Sequence, residues 1–117
     1  LGIEGARCRT AELPLVGARP HSSAASGPPL RDVPRRLVQR YGSEAGRVAA
    51  YADADPALLD PVASDLPVLG VEVVHAVRAE GALDVSDVVE RRTRLGLIPA
   101  DVDRARDRIA EIVDASR

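Results

Sequence analysis

The chain of 117 residues contains no methionine, phenylalanine or tryptophan, and only two tyrosines and one cysteine. Lysine and asparagine are missing as well, so all 16 basic residues are arginine. Each shortage excludes something. Without large aromatic side chains the core must be built from Val, Leu, Ile and Ala, which favours helices packed through small aliphatic contacts. A single thiol, Cys8, cannot close an internal disulfide, and that fits a reducing compartment. No apolar run approaches the roughly 20 residues that a membrane-spanning helix needs, and no signal peptide is visible. The formal net charge of -2 argues against a general polyanion-binding role, nucleic acid included. A chain that opens on Leu and lacks Met throughout reads as part of a longer polypeptide. The arginine bias fits GC-rich coding and carries no mechanism.

What is present is globular in character: 45% hydrophobic and 29% charged residues, in a length that suits one ordinary domain and not two. Residues 1–29 differ from the rest. LPLVGA at 13–18 suits a short extended segment, and HSSAASGPP at 21–29 is a polar tract of linker type. The helical body begins at residue 30. Asp32 is placed to cap a helix with inward residues Val33, Leu37, Val38 and Tyr41, Pro34 being tolerated in the first turn and Gly42 ending it. A second helix from about Glu44 to Ala52 presents Ala45, Val48, Ala49 and Ala52. Asp55, Pro56, Pro61 and Pro67 punctuate a connector anchored by Leu58, Leu59, Val62 and Leu66, with one helical turn at Pro56–Leu59.

Residues 69–96 read as two helices folded back on each other. On a wheel of 100° per residue Gly70, Val73, Val74, Ala76 and Val77 cluster on one side, and Glu72, His75, Arg78 and Ala79 lie opposite. Gly81 stands where a left-handed cap is wanted, and Asp84 with Asp87 resembles a capping box. Val85, Val88, Val89 and Leu95 define the stripe of the second helix, which Gly96 closes. Pro99 suits the first turn of a last helix whose inward face is Val102, Ala105, Ile109, Ile112 and Val113. The fold expected is all-α, an irregular or orthogonal bundle of about five helices with an extended N-terminal segment.

Two charges break the hairpin pattern. Glu80 falls within the apolar arc of its helix, about 20° from Leu69, and Arg92 falls at the centre of the next stripe. An uncompensated charge facing a core is too costly to leave alone, so Glu80 and Arg92 are expected to meet between the helices as a structural ion pair. The alternative, Glu80 as a general acid or base, is disfavoured because no His, Cys or second carboxylate converges on it in sequence.

Other constellations are weaker. Glu72 and His75 lie three apart on one helical face, but metal sites need three or four ligands, and an exposed structural pair is the simpler reading. Arg7 and Arg9 flank Cys8 and are placed to make it reactive, against the plainer reading of an isolated thiol. The run RRTR at 91–94 fans its arginines over a wide arc, so a phosphate or nucleic-acid patch is a minority reading. No P-loop or dinucleotide fingerprint occurs. The residues alone assign no catalytic, cofactor-binding or metal site.

Three blocks in order, CRTAELPLVGA, LVQRYGSEAGRV and EVVHAVRAEGALDVSDVVERRTRLGL, together resemble the C-terminal region of the FAD-dependent glycerol-3-phosphate dehydrogenases and the related alpha-glycerophosphate oxidases. The resemblance runs from Cys8 through the last helix, with AVRAEGAL to RRTRLG carrying most of its weight. It departs from the family pattern at His75, where an aromatic is common, in the tract at 20–30, and in the lack of an apolar tail after Arg117. It implies a helical domain packed on an N-terminal flavin domain that binds FAD and oxidises sn-glycerol 3-phosphate to dihydroxyacetone phosphate. In that picture electrons pass to a quinone or to oxygen, and the parent enzyme is cytoplasmic, peripheral to the inner membrane face. Residues 1–29 then form the linker from the flavin domain and residues 30–117 the accessory domain, inactive alone. The rival expectation is a free-standing helical protein-interaction module.

Overall fold

Helix α3 (Gly70–Arg78) is the axle of the structure, a computed structural model that describes residues 7–13, 15 and 32–117. Its first seven residues are buried on every side except at His75. Two cores lie against it. Val73, Val74 and Ala76 join the larger one, with Val88, Val89, Leu95 and the inward face of the last helix, while Val71, and Leu69 just ahead of the helix, join the smaller one, with Val33, Leu37, Ala45, Val48 and Ala52.

The smaller core is formed by α1 (Arg35–Tyr41) and α2 (Ala45–Ala49), with single 3-10 turns at Gly42–Glu44 and Ala50–Ala52 continuing the path. Helices of seven and five residues are far below the length at which an isolated helix is stable, so burial of Leu37 and Val48 has to hold them. α1 starts after Pro34 and not with it, because Pro34 takes an extended ψ of 129°. Asp55 caps the 3-10 turn Pro56–Leu59 by accepting from the Ala57 amide at 3.1 Å, worth about 1 kcal/mol. In the connector Val62 and Leu66 are buried as expected, but Leu59 faces solvent. The connector crosses the start of α3 so closely that a Cβ on Gly70 would lie 3.0 Å from the Leu58 carbonyl oxygen. A larger residue there would require the Leu58 backbone to shift by a few tenths of an ångström.

α3 ends where Gly81 adopts a left-handed φ of 72°, and the Ala82 amide turns back to the Ala76 carbonyl at 2.9 Å. Asp84 accepts from the Asp87 amide and Asp87 accepts from the Leu83 amide, both at 2.9 Å. This is a reciprocal cap that opens the next helix. That helix is a π-helix (Asp87–Arg92), completed by Thr93, whose amide and hydroxyl both donate to the Val88 carbonyl at 2.9 Å. Its wider winding displaces later side chains from a 100° wheel, which is why Arg92 reaches the rim and not the centre of the buried stripe. The left-handed residue that closes it is Arg94, φ 64°, not Gly96, which lies inside the following 3-10 turn Leu95–Leu97.

Helix α4 (Pro99–Ser116) has Pro99 in its first turn and buries Val102, Ala105, Ile109, Ile112 and Val113 against α3, the most extensive helix pair here. Arg78 Nε donates to the Ser116 carbonyl at 3.3 Å and Arg117 Nη2 to the Leu83 carbonyl at 2.7 Å, which fasten its C-terminal end. Four α-helices and one π-helix among the described residues make an irregular all-α bundle, as the periodicities predict. The LPLVGA segment, apart from Leu13 and Leu15, and the tract at 20–30 lie outside the described residues. Within 7–13 a turn closes, with the Glu12 amide donating to the Arg9 carbonyl at 2.9 Å.

Candidate functional site

Charged and aromatic side chains collect where α1 crosses α3 and the π-helix. At the centre is Glu72, whose side chain is 0% exposed. It sits at the third position of α3, so its Oε2 accepts from the Leu69 amide at 2.9 Å and satisfies a donor that the helix leaves open. Arg36 grips the same carboxylate side-on, with Nε to Oε2 at 2.6 Å and Nη2 to Oε1 at 3.1 Å. Arg40, one turn further along α1, brings Nε to 3.5 Å from Oε1, and its Nη2 donates to the Arg92 carbonyl. One carboxylate thus ties three elements together.

This corrects the wheel, which places Glu72 on an exposed face. That face is opposite the larger core, but at Glu72 the arginines of α1 cover it, while Arg78 and Ala79 stay exposed. A wheel drawn on α3 alone cannot register a helix arriving from 36 residues upstream. The signals were present in part: an acidic residue at the third position of a helix with no capping side chain, and arginines four apart on α1 that share a face.

Glu80 and Arg92 come together as well. Arg92 Nε lies 3.7 Å from Glu80 Oε2, and its Nη2 donates to the Glu80 carbonyl oxygen at 2.6 Å. Their side chains are 31% and 35% exposed, so the pair sits at a rim and not in a core. Glu80 Oε1 is also 3.9 Å from His75 Nε2. The two tyrosines of the chain both pack on that imidazole, Tyr41 edge-on at 5.1 Å and Tyr51 tilted at 6.0 Å. Burial pushes the Tyr41 phenol up to about 12, with Arg40 pulling the other way.

Burial likewise holds the His75 pKa below the usual histidine value; Glu80 opposes the shift, and Arg47 and Arg40 reinforce it. The linkage has a definite sign. Above about pH 6.5, the unfolded value, both states are neutral at this residue and nothing is lost. Below it the unfolded chain takes up a proton first, so stability falls until the folded pKa is passed. Urea unfolding at pH 7.5 and 5.5 should therefore show a larger loss on acidification for the parent than for His75→Gln. Equal losses would show that His75 does not titrate differently on folding.

The remaining sites are simpler. Cys8 is exposed and its pKa is lowered, chiefly by the Thr10 hydroxyl 3.1 Å from its sulfur and then by the Thr10 backbone. The flanking arginines are not the cause, and Arg9 pairs with Glu12 at 3.2 Å. No group of three or more His, Cys, Asp or Glu suited to a metal occurs among the described residues. No helix among them is long and apolar enough to cross a membrane. Among the described residues the extended pairing is an isolated antiparallel bridge between Pro61 and Leu69, and no strand–turn–helix of the kind that cradles a flavin pyrophosphate occurs.

The described residues thus form a helical bundle held at its centre by a buried charge clamp. Residues 8–116 match the family model of the C-terminal domain of alpha-glycerophosphate oxidase, and the chain belongs to that family. It is 45% identical over 102 residues to "Glycerol-3-phosphate dehydrogenase 1" of Mycobacterium tuberculosis, covering 87% of this chain and 19% of that protein. It is 41% identical over 102 residues to "Glycerol-3-phosphate dehydrogenase 2" of Mycobacterium bovis, covering 85% and 17%. "Glycerol-3-phosphate dehydrogenase" of Mycobacterium leprae is 43% identical over 63 residues, 54% of this chain and 11% of that protein. The chain therefore spans less than a fifth of the length of the curated relatives it matches. No solved structure matches it.

Proposed function

We propose that residues 30–117 are the C-terminal helical accessory domain of an FAD-dependent glycerol-3-phosphate dehydrogenase, joined by residues 1–29 to a flavin domain of the same polypeptide. In this reading the flavin domain holds FAD and oxidises sn-glycerol 3-phosphate to dihydroxyacetone phosphate, with a quinone as electron acceptor at the cytoplasmic side of the membrane. The helical domain docks on it and is inactive alone. The observation that carries the reading is the family match over residues 8–116, together with the small share of each relative that the chain covers. The fate of the buried carboxylate supports it. Every contact of Glu72 is structural, so its oxygens are engaged in holding helices and not in moving protons. Docking is supported by exposed apolar side chains, Leu13 and Leu15 near the connection (Leu15 81% exposed) and Leu97 with Ile98 ahead of α4 (Leu97 79%).

The test is an assay of the chain alone with glycerol 3-phosphate, FAD and a dye acceptor, followed by mixing with the flavin segment encoded upstream. No turnover alone and stable association on mixing are the expected results. Turnover by the isolated chain would overturn the reading. An upstream sequence without a GxGxxG strand–turn–helix would favour a free-standing interaction module instead.

A further inference from the structure

The arginine run at 91–94 gains a different meaning once α1 is beside it. Arg36 and Arg40 of α1 and Arg91, Arg92 and Arg94 line one open cleft of about 670 Å³, floored by Pro67 and Val68 and flanked by Glu80. Five guanidinium groups there face three nearby carboxylates, Glu72, Glu80 and Asp87, so the cleft is positive on a chain whose formal charge is -2.

The carboxylates orient four of these arginines, Arg36, Arg40, Arg91 and Arg92, without exhausting them. An arginine carries five N–H donors. Arg36 directs Nε and Nη2 at Glu72, and Arg40 directs Nε at Glu72 and Nη2 at the Arg92 carbonyl, which leaves each with its Nη1 donors. Arg92 places Nη2 on the Glu80 carbonyl with Nε facing the Glu80 carboxylate, and Arg91 uses Nη1 toward Asp87. Arg94 has no counter-ion among the described residues. Its backbone is held at a left-handed φ of 64°, a conformation costly for a non-glycine residue. Guanidinium forks fixed in advance on two walls of a cleft are what bidentate recognition of a tetrahedral oxyanion requires, because little ordering remains to be done on binding.

We propose that this cleft is a binding site for a phosphate-class oxyanion, inorganic phosphate or a small phosphate monoester, held between α1 and the π-helix. The wheel of a single helix gives no sign of it, since it scatters the three arginines of RRTR and lacks the two from α1.

The experiment is an NMR titration of the isotope-labelled 117-residue chain with sodium phosphate at pH 7, ionic strength held constant with sodium chloride. The expected result is saturable shifts at Arg36, Arg40 and residues 91–95, with Kd on the order of 1 mM. Arg94→Gln, at an exposed position that leaves the core intact, should raise Kd about tenfold, the loss of one charge-assisted contact. Arg106→Gln, on α4 and away from the cleft, should leave Kd unchanged. Glycerol 3-phosphate should compete for the same resonances, and tighter binding than phosphate would mark a monoester as the preferred form. Shifts that grow linearly without saturating, or an Arg94→Gln variant that binds as the parent does, would overturn the proposal. So would binding to phosphatidylglycerol vesicles without saturable binding of soluble phosphate, which would make the cleft a membrane contact.

Discussion

Glu72→Ala is expected to lower the unfolding free energy by about 3 to 5 kcal/mol, the cost of breaking a buried ion pair and stranding its partners. Two effects add. Arg36 and Arg40 lose their shared counter-ion, and the Leu69 amide loses the carboxylate that caps α3. The arginines are each 31% exposed and can recover some hydration, which draws the value toward the lower end. The capping loss, about 1 kcal/mol, draws it back. Glu72→Gln keeps an oxygen for the Leu69 amide and should fall between parent and alanine. Thermal melts of the three chains would show the alanine variant lower by roughly 10 °C or more. Glu80→Ala, at the rim, should cost at most about 1 kcal/mol, as partly exposed pairs do. If Glu72→Ala and Glu80→Ala melted together, the clamp would have no special weight in holding α1.

Ile109→Ala should be comparable in size and different in origin. Ile109 is fully buried in α4 where that helix meets α3, within the larger core. Truncation removes buried methyl and methylene groups and leaves a cavity that Val and Ala neighbours are too small to fill by relaxing, for a loss of about 2 to 5 kcal/mol. Urea unfolding should show a lower midpoint with an unchanged slope, because the surface exposed on unfolding stays almost the same. Ile98→Ala, one residue before the same helix but largely exposed, should stay within about 0.5 kcal/mol of the parent. A small effect at Ile109, or an equal one at Ile98, would mean that the two-core packing around α3 is wrong.

The parts of this protein that could be read along the chain are those decided locally. Pro99 in the first turn of α4 and its face of Val102, Ala105, Ile109, Ile112 and Val113 follow from spacing alone, because a helix repeats its own geometry whatever surrounds it. The left-handed Gly81, the Asp84 and Asp87 cap and the turn at Pro56–Leu59 depend on neighbours within four residues, and they too stand where the sequence puts them. Glu80 and Arg92 lie twelve residues apart in a hairpin, close enough for pattern breaks in two adjoining helices to point at each other.

Tertiary structure decided the rest, for a reason visible in Glu72. Whether a helical face is exposed depends on what is laid across it, and α1 reaches α3 from 36 residues away in sequence. That crossing turns an expected surface carboxylate into the most deeply buried charge among the described residues and brings Tyr41 onto His75. It also adds Arg36 and Arg40 to an arginine run that is unremarkable by itself. The π-helical winding at Asp87–Arg92 belongs to the same class, since it carries the Arg92 side chain to the rim beside Glu80 while the Arg92 backbone carbonyl receives Arg40 of α1. Periodicity determines which residues form rods; only the packing of one rod over another determines which of their charges are desolvated, and therefore which ones hold the fold.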